Sequence, residues 1–324
     1  MDFLAKPVAL VGGAGFLGLH VGRELKQHGA SVRIVDEMCH GEASRIEAAK
    51  IGEVRHADVR GYTKAIEVLN GCGLVINLAT LCVRRSLGSP VFAAEYIGAL
   101  GSVVPFAAAK VGARRYVYVS SSEIYGEAIA GPLHEESLPR PQTAYGAAKL
   151  AGEHYATVAR LTHGIEAVIV RPFNVYGPGC HIEGMAGEAI PRFVAQAHRG
   201  GPIRLHGDGL QTRDFTYVVD AARGIVGAAL SDAVVNTGPV NLASGVERTI
   251  VSIAREIATR FGVGVECGAP RPCDLRRQVG CATRAQAILG WSPTVAWSDG
   301  LQRTVDDVLG RLHGAEMIPE KTWT

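Results

Sequence analysis

Val8-Ala9-Leu10-Val11-Gly12-Gly13-Ala14-Gly15-Phe16-Leu17-Gly18 is the stretch whose reading decides the fold. Four apolar residues read as a buried strand, the glycines as a tight turn, and the run from Gly15 to Gly29 as a helix. That order suits a dinucleotide pyrophosphate, because the backbone turns sharply, the helix N-terminus faces the anion, and helix and strand pack closely. Gly12, Gly15, Phe16, Leu17 and Gly18 are therefore candidate cofactor residues. Asp36 follows the second strand, Val32 to Val35, where a carboxylate accepts hydrogen bonds from an adenosine ribose diol and repels a 2′-phosphate. The expected cofactor is NAD rather than NADP. Asp58 and Val59 close the third strand and are placed to touch the adenine.

Working outward, short β-branched runs alternate with longer helical patterns. Strands are expected at Val54 to Ala57, Leu74 to Ala79, Tyr116 to Ser120 and Ala167 to Val170, with helices near 62–70, 90–111 and 143–163. The fold class is α/β, a Rossmann-type doubly wound parallel sheet with a smaller, interleaved C-terminal substrate lobe. Residues 1–172 form the sheet domain, and about 214–243, where Phe215 to Val219 and Val240 to Ala243 flank a helix, return to it. Residues 173–213 and 244–324 form the lobe, announced by Gly/Pro-rich connections at Gly177-Pro178-Gly179 and Gly200-Gly201-Pro202.

Composition narrows the function. With 33 Lys and Arg against 31 Asp and Glu, a formal charge of +2 carries no nucleic-acid footprint. No apolar run reaches the ~18 residues of a membrane span, and the start lacks a basic leader, so a cytoplasmic, unprocessed chain is expected. Cys39, Cys72, Cys82, Cys180, Cys267, Cys273 and Cys281 are odd in number and form no CxxC pair, which suits reduced thiols and argues against a metal site. A small-molecule partner remains.

The catalytic end follows the fifth strand. Ser120-Ser121-Ser122-Glu123-Ile124-Tyr125-Gly126 delivers hydroxyls and a carboxylate to the sheet's C-terminal edge, where open α/β sheets bind ligands. Tyr145-Gly146-Ala147-Ala148-Lys149 puts a phenol and an ammonium on one helix face. Cations nearby lower a phenol's pKa from ~10 and make Tyr145 a candidate general base.

Taken together, GGAGFLG at 12–18, Asp36, Asp58, NLAT at 77–80, SSSEIYG at 120–126, YGAAK at 145–149 and RPFNVYGPG at 171–179 resemble the extended short-chain dehydrogenase/reductase family, in its NAD-dependent nucleotide-sugar epimerase/dehydratase branch. QTRDFTYVVD at 211–220, RPCDLRR at 271–277 and LGWSP at 289–293 are similar to substrate-lobe signatures, so the likeness covers residues 7–312. The resemblance implies Ser121 as catalytic hydroxyl, Tyr145 as base and Lys149 as its partner and ribose ligand, with Leu78 and Ala79 against NAD. It implies Ser122, Asn174, Arg213, Arg271 and Asp274 around a nucleotide sugar, the two arginines on the diphosphate and Asp274 on the nucleoside ribose. Glu123 resembles the acid-base glutamate of dehydratases and decarboxylases, but Ser122 stands where many dehydratases carry an aspartate. Arg84, in Val83-Arg84-Arg85-Ser86, is similar to an arginine that faces the sugar carboxylate in glucuronate-type 4-epimerases; Arg192 is a further substrate candidate. A 4-epimerase converting UDP-glucuronate to UDP-galacturonate is the reading, with a UDP-glucuronate decarboxylase or an NDP-hexose 4,6-dehydratase as alternatives. Small apolar residues on the helices at 90–111 and 143–163 allow close helix packing, and the resemblance implies a homodimer there through a four-helix bundle.

Overall fold

Val8–Val11 is buried at every position, which requires a strand covered on both faces and places it in the middle of a sheet. The computed structural model describes residues 2–38, 42–182 and 188–315. Its first half alternates β1 (Val8–Val11), α1 (Phe16–Gln27), β2 (Val32–Asp36), α2 (Glu42–Ile51), β3 (Glu53–His56), α3 (Tyr62–Leu69), β4 (Leu74–Asn77), α4 (Val83–Gly88), α5 (Pro90–Lys110), β5 (Arg115–Val119), α6 (Ala144–His163) and β6 (Glu166–Pro172). The remainder runs β7 (Val175–Tyr176), α7 (Ala189–His198), β8 (Ile203–His206), β9 (Thr212–Asp214), β10 (Thr216–Tyr217), α8 (Val218–Leu230), β11 (Pro239–Leu242), β12 (Glu247–Thr249), α9 (Ile250–Phe261), β13 (Val265–Gly268), β14 (Arg277–Gln278), α10 (Thr283–Leu289) and α11 (Trp297–Ala315).

The main sheet is parallel throughout, in the order β3-β2-β1-β4-β5-β6-β11. Strand order reverses between β1 and β4, and the C-terminal edge at such a switch point is where ligands bind in open α/β sheets. The two-residue side-chain period splits the strands between two cores. Leu10, Ile34, Ile76 and Val117 pack with Val21 and Leu25 of α1 and Ile225 and Val226 of α8. Val11, Val35, Val75 and Tyr116 pack with Leu69 of α3, Val104 of α5 and Ala156 of α6. A third core joins Phe193 of α7, Ile257 of α9, Leu301 of α11 and Leu205 of β8, forming the smaller lobe.

Several expectations change in detail. The return to the sheet is made by β11 alone; of the anticipated strand at 215–219 only Thr216–Tyr217 pairs, with β7, and α8 starts at Val218. Helices α2 and α4 were not anticipated from the pattern. By length and composition α5 is apolar enough to cross a bilayer, its best window having mean hydropathy 1.5, contrary to the sequence reading. Here it lies on the sheet with Ile97, Leu100, Val104 and Ala108 buried. Cys72, Cys82, Cys180, Cys267, Cys273 and Cys281 are free thiols, and Cys39 lies outside the described residues.

Candidate active site

The turn between β1 and α1 is shaped by two glycines. Gly12 has φ +76°, and a Cβ there would stand 2.7 Å from the Ala79 backbone. At Gly18 a Cβ would meet the Gly12 carbonyl oxygen at 2.5 Å, so only glycine lets α1 sit this close to the turn. Gly15 caps α1 without a side-chain hydrogen bond, and its first turn holds no acidic residue, leaving that helix end free to face an anion.

Asp36 is buried at the end of β2. One carboxylate oxygen accepts from the Ala14 amide at 3.0 Å and the other from the Met38 amide at 2.8 Å, which fixes the carboxylate beside the glycine turn. Leu78 and Ala79 lie at the end of β4, where the Leu78 amide donates to Val11 and the Ala79 amide to Asn77 Oδ1. Val59 is buried nearby, but Asp58 is held by Arg60, whose Nε and Nη2 both donate to it. Arg60 in turn stacks on Tyr96 at 4.5 Å, so the adenine end carries a guanidinium that the motif did not announce. A tight turn, an uncapped helix end and a fixed carboxylate form a cradle that fits NAD.

Tyr145 and Lys149 are set by the start of α6. Thr143 Oγ1 accepts from the Gly146 amide at 3.0 Å, a cap worth ~1 kcal/mol that fixes the first turn carrying both residues. Tyr145 is buried, and the hydroxyls of Ser121 and Thr80 act on its phenol to favour the charged form. Ser121 Oγ also accepts from the Glu123 amide at 3.2 Å, capping the 3-10 turn Ser122–Ile124, and Ser122 is buried within that turn. Lys149 Nζ donates to the Val119 carbonyl at 2.9 Å and lies 5.9 Å from the Tyr145 ring centre.

Burial governs the electrostatics of this pair. Burial pushes the Tyr145 phenol up to about 12, with the Ser121 hydroxyl opposing, and burial brings Lys149 down to about 7 against the pull of Glu153. Lys149 therefore does not by itself make Tyr145 acidic, because desolvation penalises both charged forms. The positive nicotinamide of bound NAD is the further charge that favours a phenolate.

The substrate candidates fall into two groups. Arg213 and Arg271 each donate to the same oxygen of Asp274 at 2.8 Å, and the other Asp274 oxygen accepts from Gln211 at 3.2 Å. The arginines thus meet a carboxylate instead of standing apart as an open clamp, and Asp274 is their partner here. Glu123 is electrostatically coupled to all three: burial raises its pKa while Arg213 and Arg271 oppose. Gln278 approaches the Glu123 carboxyl without a well-formed hydrogen bond. Asn174 is spent locally, its amide donating to Asp214 at 3.0 Å and Gln278 at 3.1 Å.

Arg84 joins them across a cavity of about 530 Å³ whose lining includes Ser86, Thr143, His206, Arg271 and Cys273. Its Nη2 approaches His206 Nε2 at 3.3 Å, linking the loop after β4 to the lobe, and burial followed by Arg271 lowers its pKa. Arg192 is not brought into this group: it lies half-buried in the first turn of α7 and does not line the cavity. Ser120 Oγ, Gln211 Oε1, Arg271 Nε and Gln278 Nε2 are buried without a protein partner. Buried polar atoms are normally paired, so their concentration in these segments marks a place built for a polar ligand.

Sequence reasoning passed over Thr80, His206 and Gln278. Thr80 sat inside the quoted NLAT run, whereas His206 and Gln278 carry no local signal, because only the folding of the lobe brings them to the site.

A parallel sheet with a dinucleotide cradle, a Ser/Tyr/Lys group and an arginine-lined cavity at one edge defines an enzyme that uses a nicotinamide dinucleotide on an anionic ligand. Residues 8–243 match the model of the NAD dependent epimerase/dehydratase family, and the chain belongs to that family. It is 30% identical over 92% of its length to UDP-glucose 4-epimerase of Mycolicibacterium smegmatis, 96% of which is covered. It is 28% identical to UDP-glucuronic acid decarboxylase 1 of Xenopus tropicalis, over 93% of this chain and 71% of that one. With dTDP-glucose 4,6-dehydratase of Streptomyces niveus it shares 30%, over 92% and 91%. The crystal structure of UDP-glucuronic acid 4-epimerase from Bacillus cereus, in complex with UDP-glucuronic acid and NAD, superposes with TM-score 0.86 at 26% identity, covering 94% of this chain and 99% of that one. The cofactor is NAD, and the relatives span epimerases, decarboxylases and dehydratases of nucleotide sugars.

Proposed function

We propose that the protein is a UDP-sugar 4-epimerase and that its substrate is UDP-glucuronate, converted to UDP-galacturonate through a transient 4-keto sugar. The observation that carries this reading is Arg84, a partly buried guanidinium in the cavity that also takes in Thr143 and Ala144, the residues immediately before Tyr145. A second anionic group on the sugar is what such a guanidinium recognises, by a charge-assisted hydrogen bond. Likeness to the Bacillus cereus enzyme points the same way.

The turn at Gly12 and Gly18 and the Asp36 carboxylate would hold NAD, which would supply a reversible hydride acceptor for sugar carbon 4. Tyr145 removes the hydroxyl proton at that carbon, Ser121 orients the same oxygen, and Lys149 supplies positive charge beside the phenol. Arg213 and Arg271 turn toward the diphosphate, and Arg84 holds the sugar carboxylate out of line with the ketone so that it is retained. A second reading, decarboxylase or 4,6-dehydratase, is favoured by Glu123, whose burial raises its pKa and suits it to hold a transferable proton. Incubation of the purified enzyme with UDP-glucuronate and UDP-glucose, without added NAD, separates these: UDP-galacturonate is expected, whereas carbon dioxide or a stable 4-keto-6-deoxy product refutes the epimerase.

We further infer a cytoplasmic homodimer. The outer faces of α5 and α6 form a shallow groove with Ala94, Ala99, Ala147 and Ala151, and Val91 and Val158 are exposed alongside. Such a small-residue surface favours close helix packing against a second copy.

A further inference from the structure

Lys149 is 2% exposed, and its Nζ has the Val119 carbonyl at 2.9 Å as hydrogen-bond partner, with the Tyr118 ring centre 5.2 Å away. One helical turn further on stands Glu153, 5% exposed, both of whose oxygens are gripped by Arg171 of β6 at 2.8 and 2.6 Å. Arg171 is itself 4% exposed and locked: it donates to Tyr125 Oη at 2.6 Å and to the Glu135 carbonyl at 3.2 Å. Tyr125 Oη in turn donates to Asn241 Oδ1 at 2.8 Å, and the Asn241 backbone amide donates to the Glu135 carboxylate at 2.8 Å. A rigid polar chain therefore runs from the catalytic helix through β6 to β11.

We propose that Glu153 is a positioning residue for the reaction: fixed by Arg171, it is the buried counter-charge that keeps Lys149 protonated beside Tyr145. The inference rests on the Tyr145–Lys149 pairing and not on which sugar is turned over.

Lys149, Glu153 and Arg171 together leave one net positive charge in a water-poor region, and a phenolate at Tyr145 would neutralise it. Without Glu153, the two buried cations would be left with Glu135 as the network's one carboxylate, which is bonded to the Asn241 amide and to neither cation, and the cation able to lose a proton is the lysine. Groups facing Lys149 offer no substitute. From β5 comes Tyr118, whose buried phenol is pushed well above its ordinary range; from α6 come Tyr145 and Glu153. Helix α5 packs on this stretch through Ile97 and Gly101, which are uncharged, and Glu123 acts on the Tyr145 phenol. The pull of Glu153 on Lys149 is upward, opposite to burial, as this role requires. A pair that served only to hold α6 on β6 would leave the lysine's titration untouched when replaced by neutral groups of similar size.

The test is the double substitution Glu153→Gln, Arg171→Met, which removes both charges and strands neither. Lys149 is titrated in the holoenzyme by NMR with ¹³C at lysine Cε, its resonance assigned through Lys149→Met. The midpoint is expected to fall by about one pH unit or more in the double variant, and the alkaline limb of its pH–rate profile to move down with it. An unchanged midpoint in a folded double variant overturns the proposal, as does a loss of rate uniform across pH. If the double variant does not fold, Arg171→Lys, which keeps the charge but loosens the bidentate grip, is expected to lower the midpoint by a smaller amount; no movement there overturns it equally. Because the NMR midpoint needs no sugar, its failure is distinct from a wrong assignment of substrate.

Discussion

Tyr145 and Lys149 are adjacent groups that burial drives toward their neutral forms, one up to about 12 and the other down to about 7. Lys149 is thus a cost to the fold. Its folded pKa lies below its ordinary 10.5, so the native state binds fewer protons than the unfolded chain between those values, and stability rises as pH rises through that window. Lys149→Met is therefore expected to raise the melting temperature at pH 6, by an amount that shrinks toward pH 10; a gap constant with pH would contradict this. Tyr145→Phe removes only the hydroxyl. It should slow turnover by about 10²–10⁴-fold with little change in melting temperature, and near-native turnover would remove Tyr145 from the role of base.

Between elements, α6 lies against β5 with almost no slack. A Cβ at Gly152 would sit 2.1 Å from Tyr118 Oη and 2.3 Å from its ring, and a Cβ on the facing Gly101 of α5 would stand 3.0 Å from the Gly152 Cα. Gly152→Ala is expected to destabilise the protein by ~1–3 kcal/mol in a denaturant melt and to lower activity, since it displaces the ring beside Lys149. An unchanged melt would show that α6 has room to move. At the turn between β1 and α1, Gly18→Ala should separate α1 from the Gly12 carbonyl and weaken NAD binding at least tenfold by calorimetry, with native affinity as the contrary result. These two helices carry cofactor and base, so their seating decides the site's geometry. Their strand–turn–helix and YxxxK signals were legible because they depend on residues near in sequence. Helix α2, Glu42–Ile51, escaped because it is short and only weakly amphipathic.

Across the molecule, the sheet could be read from alternation and its return only in part, since 240–243 supplies β11 while 215–219 does not join the sheet, and the way the lobe closes on the sheet could not be read. Arg84 meets His206 and Arg213 meets Asp274 through contacts that span 122 and 61 residues, and no local pattern encodes such pairings. For the same reason Arg192, attractive as a cation near the lobe's start, lies away from the cavity that Arg84 and Arg271 line. The sequence also invited an open diphosphate clamp, whereas the fold pairs both arginines with Asp274 and so limits the unbalanced positive charge in the lobe. At this scale Ala147→Glu, on the exposed face of α6, is expected to convert a homodimer to monomer by light scattering. An unaltered mass would place any subunit contact elsewhere.

The most direct measurement follows a deuterium placed on carbon 4 of UDP-glucuronate through turnover in ordinary water. Borrowing and returning one hydride within a single site should leave the label on carbon 4 of UDP-galacturonate, with the carboxylate intact. Label appearing in solvent or on another carbon, or a product that has lost its carboxylate, would contradict the epimerase assignment.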